Sequence, residues 1–119
     1  MKIRTDRDEL LRPLVRVAGV VERRQTLPIL ANVLIAAGDG RLELTATDLE
    51  VELRTATEAE TSDEFEFTLP ARKLMDICKA LPEGAPIDLS VEGERAVLRS
   101  GRSRFSLGLL PAADFPSID

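Results

Sequence analysis

Two groups of cations are the part of this sequence best suited to chemistry. Arg12 and Arg16 stand one helical turn apart, Arg23 and Arg24 follow them, and Arg72 and Lys73 open a second helical stretch. If the two helices are neighbours, these side chains share a face and reach phosphates through long, mobile, water-bridged contacts. Arg72 and Lys73 at a helix N-terminus also oppose the macrodipole, so helix stability does not account for them. The second group is Arg95, Arg99, Arg102 and Arg104, on the last two strand candidates. On the final strand Arg102, Arg104 and Ser106 face one way while Ser103, Phe105 and Leu107 face the other. This group reads either as a basic edge that docks an acidic partner strand or as charge that keeps an open edge from aggregating.

Other chemistries have little to work with. The chain has no His, Trp or Tyr, and one Cys. Without His, Ser-His-Asp and Cys-His nucleophile systems and nearly all zinc sites are excluded. Asp48 and Glu50 have no third ligand nearby, so a turn suits them better than a metal. The remaining carboxylates fall mostly on alternating strand positions, where a solvated face explains them better than an acid-base pair. Cys78 sits on an apolar helical stripe and reads as a buried structural thiol. Each Gly-rich step is placed as a turn, and four Phe offer few stacking platforms for single strands, so a nucleic-acid ligand would be duplex backbone. Neither an active site nor a cofactor is expected.

The elements that must position these groups follow from periodicity. Lys2–Arg4 alternates as a short strand, and Thr5 with Asp8, or Asp6 with Glu9, offers a capping box. Leu10, Leu11, Leu14, Val17, Ala18 and Val21 recur at helical spacing, predicting a helix to about Ala18 that Pro13 should kink. Strands are expected at Asn32–Ala37 and Arg41–Thr47 around a Gly38-Asp39-Gly40 turn, then at Leu49–Thr57 and Phe65–Leu69, with Glu58–Glu64 as a variable loop. Leu74, Ile77, Cys78 and Leu81 mark a second helix over Ala71–Leu81. Ile87–Val91, Arg95–Arg99 and Arg102–Leu107 are the last strands, and from Pro111 an extended linker is expected.

Hairpins dominate this order, so the class is α+β: two adjacent helices packed on antiparallel sheet, the other face partly solvated. Helix plus strands occurs twice, which suits a pseudo-repeat of about sixty residues. A length of 119 residues, 44% hydrophobic and 31% charged, is one ordinary domain. The net charge of −5 is segregated: residues 1–24 carry seven bases and four acids (+3), residues 25–66 two bases and ten acids (−8), and residues 67–119 seven of each. An acidic protein can therefore still carry a basic face. No apolar run near 18 residues and no secretory signal is present, so no membrane partner is expected and the cytoplasm is the expected location.

Several motifs resemble one family. Arg24-Gln-Thr-Leu-Pro-Ile-Leu30, Thr45-Ala-Thr-Asp-Leu-Glu50, Leu69-Pro-Ala-Arg-Lys73, Leu81-Pro-Glu-Gly84, Glu92-Gly-Glu-Arg95 and Ser100-Gly-Arg-Ser-Arg-Phe-Ser-Leu107 are similar, in order and spacing, to the first domain of the bacterial sliding clamp, the β subunit of DNA polymerase III. The resemblance implies a DNA-clamp fold over residues 1–110, with 111–119 starting a linker to a second domain. It also implies a non-catalytic processivity factor of DNA replication: a homodimeric ring around duplex DNA that tethers the polymerase. Arg24, and more weakly Arg72, match DNA-contacting positions. Lys73, Ile77, Leu81, Arg95, Arg102, Arg104, Phe105 and Leu107 match the first domain's side of the subunit contact, which meets the third domain of a second chain. Polymerase and clamp loader would bind through domains that this chain does not include. An isolated domain or fragment is therefore expected, in the cytoplasm and at the nucleoid during replication. The alternative is a structural interaction domain whose basic edge binds an acidic protein and whose helices never meet DNA.

Overall fold

The computed structural model describes residues 1–21 and 27–116. Strand β1 (Lys2–Asp6) leads into helix α1 (Arg7–Val21). A 3₁₀ turn at Pro28–Ala31 then opens strands β2 (Asn32–Gly38), β3 (Arg41–Thr47), β4 (Glu52–Glu58), β5 (Glu60–Thr61) and β6 (Phe65–Pro70). Helix α2 (Ala71–Ala80) and strands β7 (Pro86–Glu92), β8 (Arg95–Ser100) and β9 (Ser103–Gly108) complete the order, with a last 3₁₀ turn at Ala112–Asp114. The α+β class holds. The strands form two antiparallel sheets, one ordered β5-β1-β7-β8-β9 and the other β4-β3-β2-β6.

Leaving out the two-residue β5, the sheets read β1-β7-β8-β9 and β6-β2-β3-β4. Each half of the chain thus lends its first strand to the other half's three-stranded meander. The helices follow the same relation, since Leu14, Val17, Ala18 and Val21 on α1 match the spacing of Leu74, Ile77 and Cys78 on α2 and Leu81 at its C-cap. The two helices lie against each other, and α1 packs across β3 and β4. Between helices and sheets sits one core, with Leu14, Val17, Ile35, Leu44, Leu69, Leu74, Ile87 and Leu98 all sealed from solvent.

Local chemistry sets the ends of the elements. The Glu9 amide donates to Asp6 Oδ1 at 2.9 Å, so Asp6 caps α1. The helix passes through Pro13 and continues to Val21; Pro13 is buried on the same stripe as Leu10, Leu14 and Val17, and its packing offsets the one hydrogen bond it removes. Val20 and Val21 extend the stripe against the core past the expected end at Ala18. Asp39 and Gly40 take φ of 50° and 74° in the β2–β3 turn, where Gly38 pairs with Arg41.

Three expectations need correcting. Leu49–Val51 is a turn, and β4 begins only at Glu52: Asp48 Oδ1 accepts the Glu50 and Val51 amides at 2.9 and 2.8 Å, and Thr47 Oγ1 accepts the Leu49 amide at 3.0 Å. These side chains take the backbone donors that a strand would need. Glu60–Thr61 within the expected loop pairs with Arg4 and Ile3 as β5. The stretch from Pro111 is not simply extended: after Thr68 and Leu110 exchange backbone hydrogen bonds of 3.2 and 3.3 Å, the chain enters a 3₁₀ turn at Ala112–Asp114.

Candidate nucleic-acid and docking surfaces

Because α1 and α2 are neighbours, their outward residues form one layer. Arg12, Arg16, Arg72, Lys73 and Lys79 are all exposed on it, with Asp76 the exposed acid of α2. Arg12 lies 3.6 Å from Glu9, and Arg16 lines a shallow depression with Leu11, Arg12 and Val15. Arg23 and Arg24 lie outside the described residues.

At one end the layer is tied together by Arg7, which sequence reasoning passed over. Its Nε donates to the Cys78 carbonyl at 3.0 Å and its Nη1 to Asp8 Oδ1 at 2.9 Å. A cation thereby satisfies a carbonyl in the last turn of α2 and complements that helix's negative end. The Arg7 hydrogen bond holds the Asp8 carboxyl below its ordinary value. Burial pushes the Cys78 thiol up to about 11, against the pull of the Arg7 guanidinium, so the thiol is inert near neutrality. No local signal links residues 71 positions apart, so this contact had none in the sequence.

The second cation group lies on the five-stranded sheet, where β9 is the edge. Arg102 is not a strand residue: Ser100 pairs with Ser103, and Gly101, at φ 58°, shares the turn with Arg102. Arg104 and Arg95 are exposed on the outer face, and Arg95 Nε donates to Ser106 Oγ at 2.7 Å. Phe105 and Ile77 are half-buried at the core's margin. Leu81 and Leu107 are 8% and 6% exposed, so most of their surface already belongs to this chain's own core. Any apolar docking surface along β9 therefore rests mainly on Phe105 and Ile77. None of the four Phe is exposed.

The sheets' outer faces differ in charge. On the four-stranded sheet Glu43, Glu52, Glu58 and Glu66 face outward against Arg41 and Arg54, two acids in excess. On the five-stranded sheet Lys2, Arg4, Arg95, Arg99 and Arg104 face outward against Asp6, Glu60, Asp88 and Glu92, one base in excess. The acid-rich segment thus supplies the outer face of one sheet and not of the other. Among the described residues no group of three or more His, Cys, Asp or Glu could hold a metal ion, and no helix is long and apolar enough to cross a membrane.

Comparisons with known proteins agree with this architecture. The family model for the DNA polymerase III beta subunit, N-terminal domain, matches residues 1–119. The chain is 52% identical over 120 residues to the beta sliding clamp of Salmonella typhimurium and 53% identical over 121 residues to that of Escherichia coli. In both cases the match covers 100% of this chain and 33% of the relative, so the chain spans about a third of their length. Among solved structures, the DNA polymerase III subunit beta of Pseudomonas aeruginosa superposes with a TM-score of 0.94 at 50% identity, covering 100% of this chain and 32% of that one. The Caulobacter crescentus pol III beta gives a TM-score of 0.96 at 44% identity, with the same coverage. The chain belongs to the family of the DNA polymerase III beta subunit N-terminal domain.

Proposed function

We propose that this chain is a wall segment of a sliding clamp, a non-catalytic processivity factor of DNA replication that works in the bacterial cytoplasm, at the nucleoid. A ring that slides must hold duplex DNA by topology, so its lining needs weak phosphate contacts blind to sequence. The observation that carries this reading is the neighbouring pair of helices with Arg12, Arg16, Arg72 and Lys73 exposed on one layer. Arg23 and Arg24 join them by resemblance. The β9 edge, through Lys73, Ile77, Arg95, Arg102, Arg104 and Phe105, with Leu81 and Leu107 supporting them from the core, docks the third domain of a second chain to form the ring. Polymerase and clamp loader engage domains beyond the third of the subunit seen here.

The test is duplex binding by fluorescence anisotropy across a salt series. The isolated chain should bind a short duplex with Kd of about 10⁻⁴ M at low salt, with a log-log salt slope of about −3 for three or four phosphate contacts. Arg16→Glu with Arg72→Glu should abolish it. Binding that survives this double variant removes the helix layer from the function.

A further inference from the structure

The outer face of the five-stranded sheet carries a row of side chains set by strand register: Glu60 opposite Arg4, Arg4 opposite Asp88, Asp88 opposite Arg99, and Arg99 opposite Arg104. Signs alternate until the last pair, where two cations stand directly across from each other. Like charges in that position repel. Arg4 Nε takes Asp88 Oδ1 at 2.9 Å, leaving Arg99 to share a carboxylate already engaged. Among the described residues neither the Arg99 nor the Arg104 side chain makes a hydrogen bond or ion pair, although both are exposed. The row is one carboxylate short.

A groove of about 430 Å³ runs from Arg99 across β7 and β1 to β5. Lys2 adds a further cation to its wall, and Ser62 and Ser90 add hydroxyls. Its floor is not uniformly positive, because Asp88 and Glu60 lie in it. A nucleic-acid backbone, with one charge per phosphate, would meet those carboxylates as well as the cations. A polypeptide suits the lining better, since its own amides match the hydroxyls and its acidic side chains need occur only where the cations stand.

We infer that this groove docks an extended acidic segment of a partner protein, whose carboxylates engage Arg99 and reach Lys2 at the far side. This surface lies beside the proposed subunit contact and does not depend on it. That contact uses the β9 edge and the turn at Arg102, whereas this one turns on Arg99 and Lys2 on the sheet's face. Charge that only guards an edge against aggregation would work with either sign, whereas this role requires a positive one.

The test uses the whole 119-residue chain and a fluorescein-labelled oligoglutamate of about ten residues at low ionic strength, where exposed charge pairs are least screened. Arg99→Glu should weaken binding about tenfold and Lys2→Glu about threefold, while Arg102→Glu at the edge changes it less than about twofold. Arg99→Glu places an acid opposite Arg104 on one side and opposite Asp88 on the other, so the gain and the loss offset; Arg99→Gln, which faces neither with a like charge and is expected to lose about threefold, serves as a second variant. Wild-type affinity in Arg99→Glu overturns the inference. So does an equal loss in Arg102→Glu, which would assign the peptide to the edge. A short duplex that binds with a larger loss on Arg99→Glu than the peptide shows would overturn it in favour of nucleic acid.

Discussion

The path β1-α1-β2-β3-β4 and the path β6-α2-β7-β8-β9 are topologically equivalent, yet the two halves treat their last strands differently. Helix α1 has 15 residues and packs across β3 and β4; α2 has 10 and makes its main contacts with α1, β2 and β6. Val17 on α1 is wholly buried, whereas Ile77, at the matching place on α2, is half-buried. The edge charges differ in the same sense. On β4, Arg54 lies 3.0 Å from Glu52 of its own strand, and Glu58 stands opposite Arg41. On β9, Arg104 faces Arg99 and finds no partner among the described residues. One half pairs its edge charges internally; the other leaves a basic, partly apolar margin. That asymmetry is the physical content of the docking proposal.

Substitutions at the matched helix positions probe this contrast most strongly. Leu14→Ala and Leu74→Ala, both in the sealed core, should each cost about 3 kcal/mol in urea unfolding. Val17→Ala should cost about 2 kcal/mol and Ile77→Ala only about 1, the reverse of their side-chain sizes. Equal or inverted costs would mean that the α2 half is as closed as the α1 half.

Alkaline titration separates the halves again, because Cys78 stands where α1 has Ala18. A thiol favoured in the folded state stabilises fully below its unfolded value of 9.0, and that stability is lost as pH rises towards about 11. A decline of about 2 kcal/mol over this window, absent in Cys78→Ala, is expected in pH-dependent thermal melts.

The next effect concerns the anchor after β9. Asn32 Nδ2 donates to Thr68 Oγ1 at 2.9 Å, and Thr68 Oγ1 donates to the Leu110 carbonyl at 2.8 Å. Thr68→Val strands the buried amide and should cost about 1–2 kcal/mol, with faster amide exchange at Leu110. The smallest change expected is a gain. Leu49 holds φ of 81° with its side chain half exposed, so Leu49→Gly should stabilise by about 0.5 kcal/mol in the same unfolding assay.

Much of this was legible from local pattern. The Arg41–Thr47 strand, the turn at Asp39 and the α2 stripe all follow from neighbours within a few residues of one another. The exchange of β1 and β6 between the sheets was not, because β1 pairs with β7 more than eighty residues away and no short window carries that information. Leu49 and Val51 alternate as a strand would, and only the hydrogen-bonding of Thr47 and Asp48 decides against it. For the surfaces, residue types pointed to the right groups but not to their neighbours. Alternation set Leu107 on the face away from Arg104, where the structure has it buried, while the Arg99–Arg104 pairing exists only once register is known.

The central claim is that the two cation groups serve different partners, the helix layer meeting duplex DNA and the β9 side meeting protein. Backbone amide shifts of the isolated chain, recorded as a short duplex is added at low salt, test it directly. The account predicts shifts along α1 and α2, at Arg12, Arg16 and Arg72, that vanish as salt is raised. Shifts confined to Arg95–Leu107 with silent helices would contradict it.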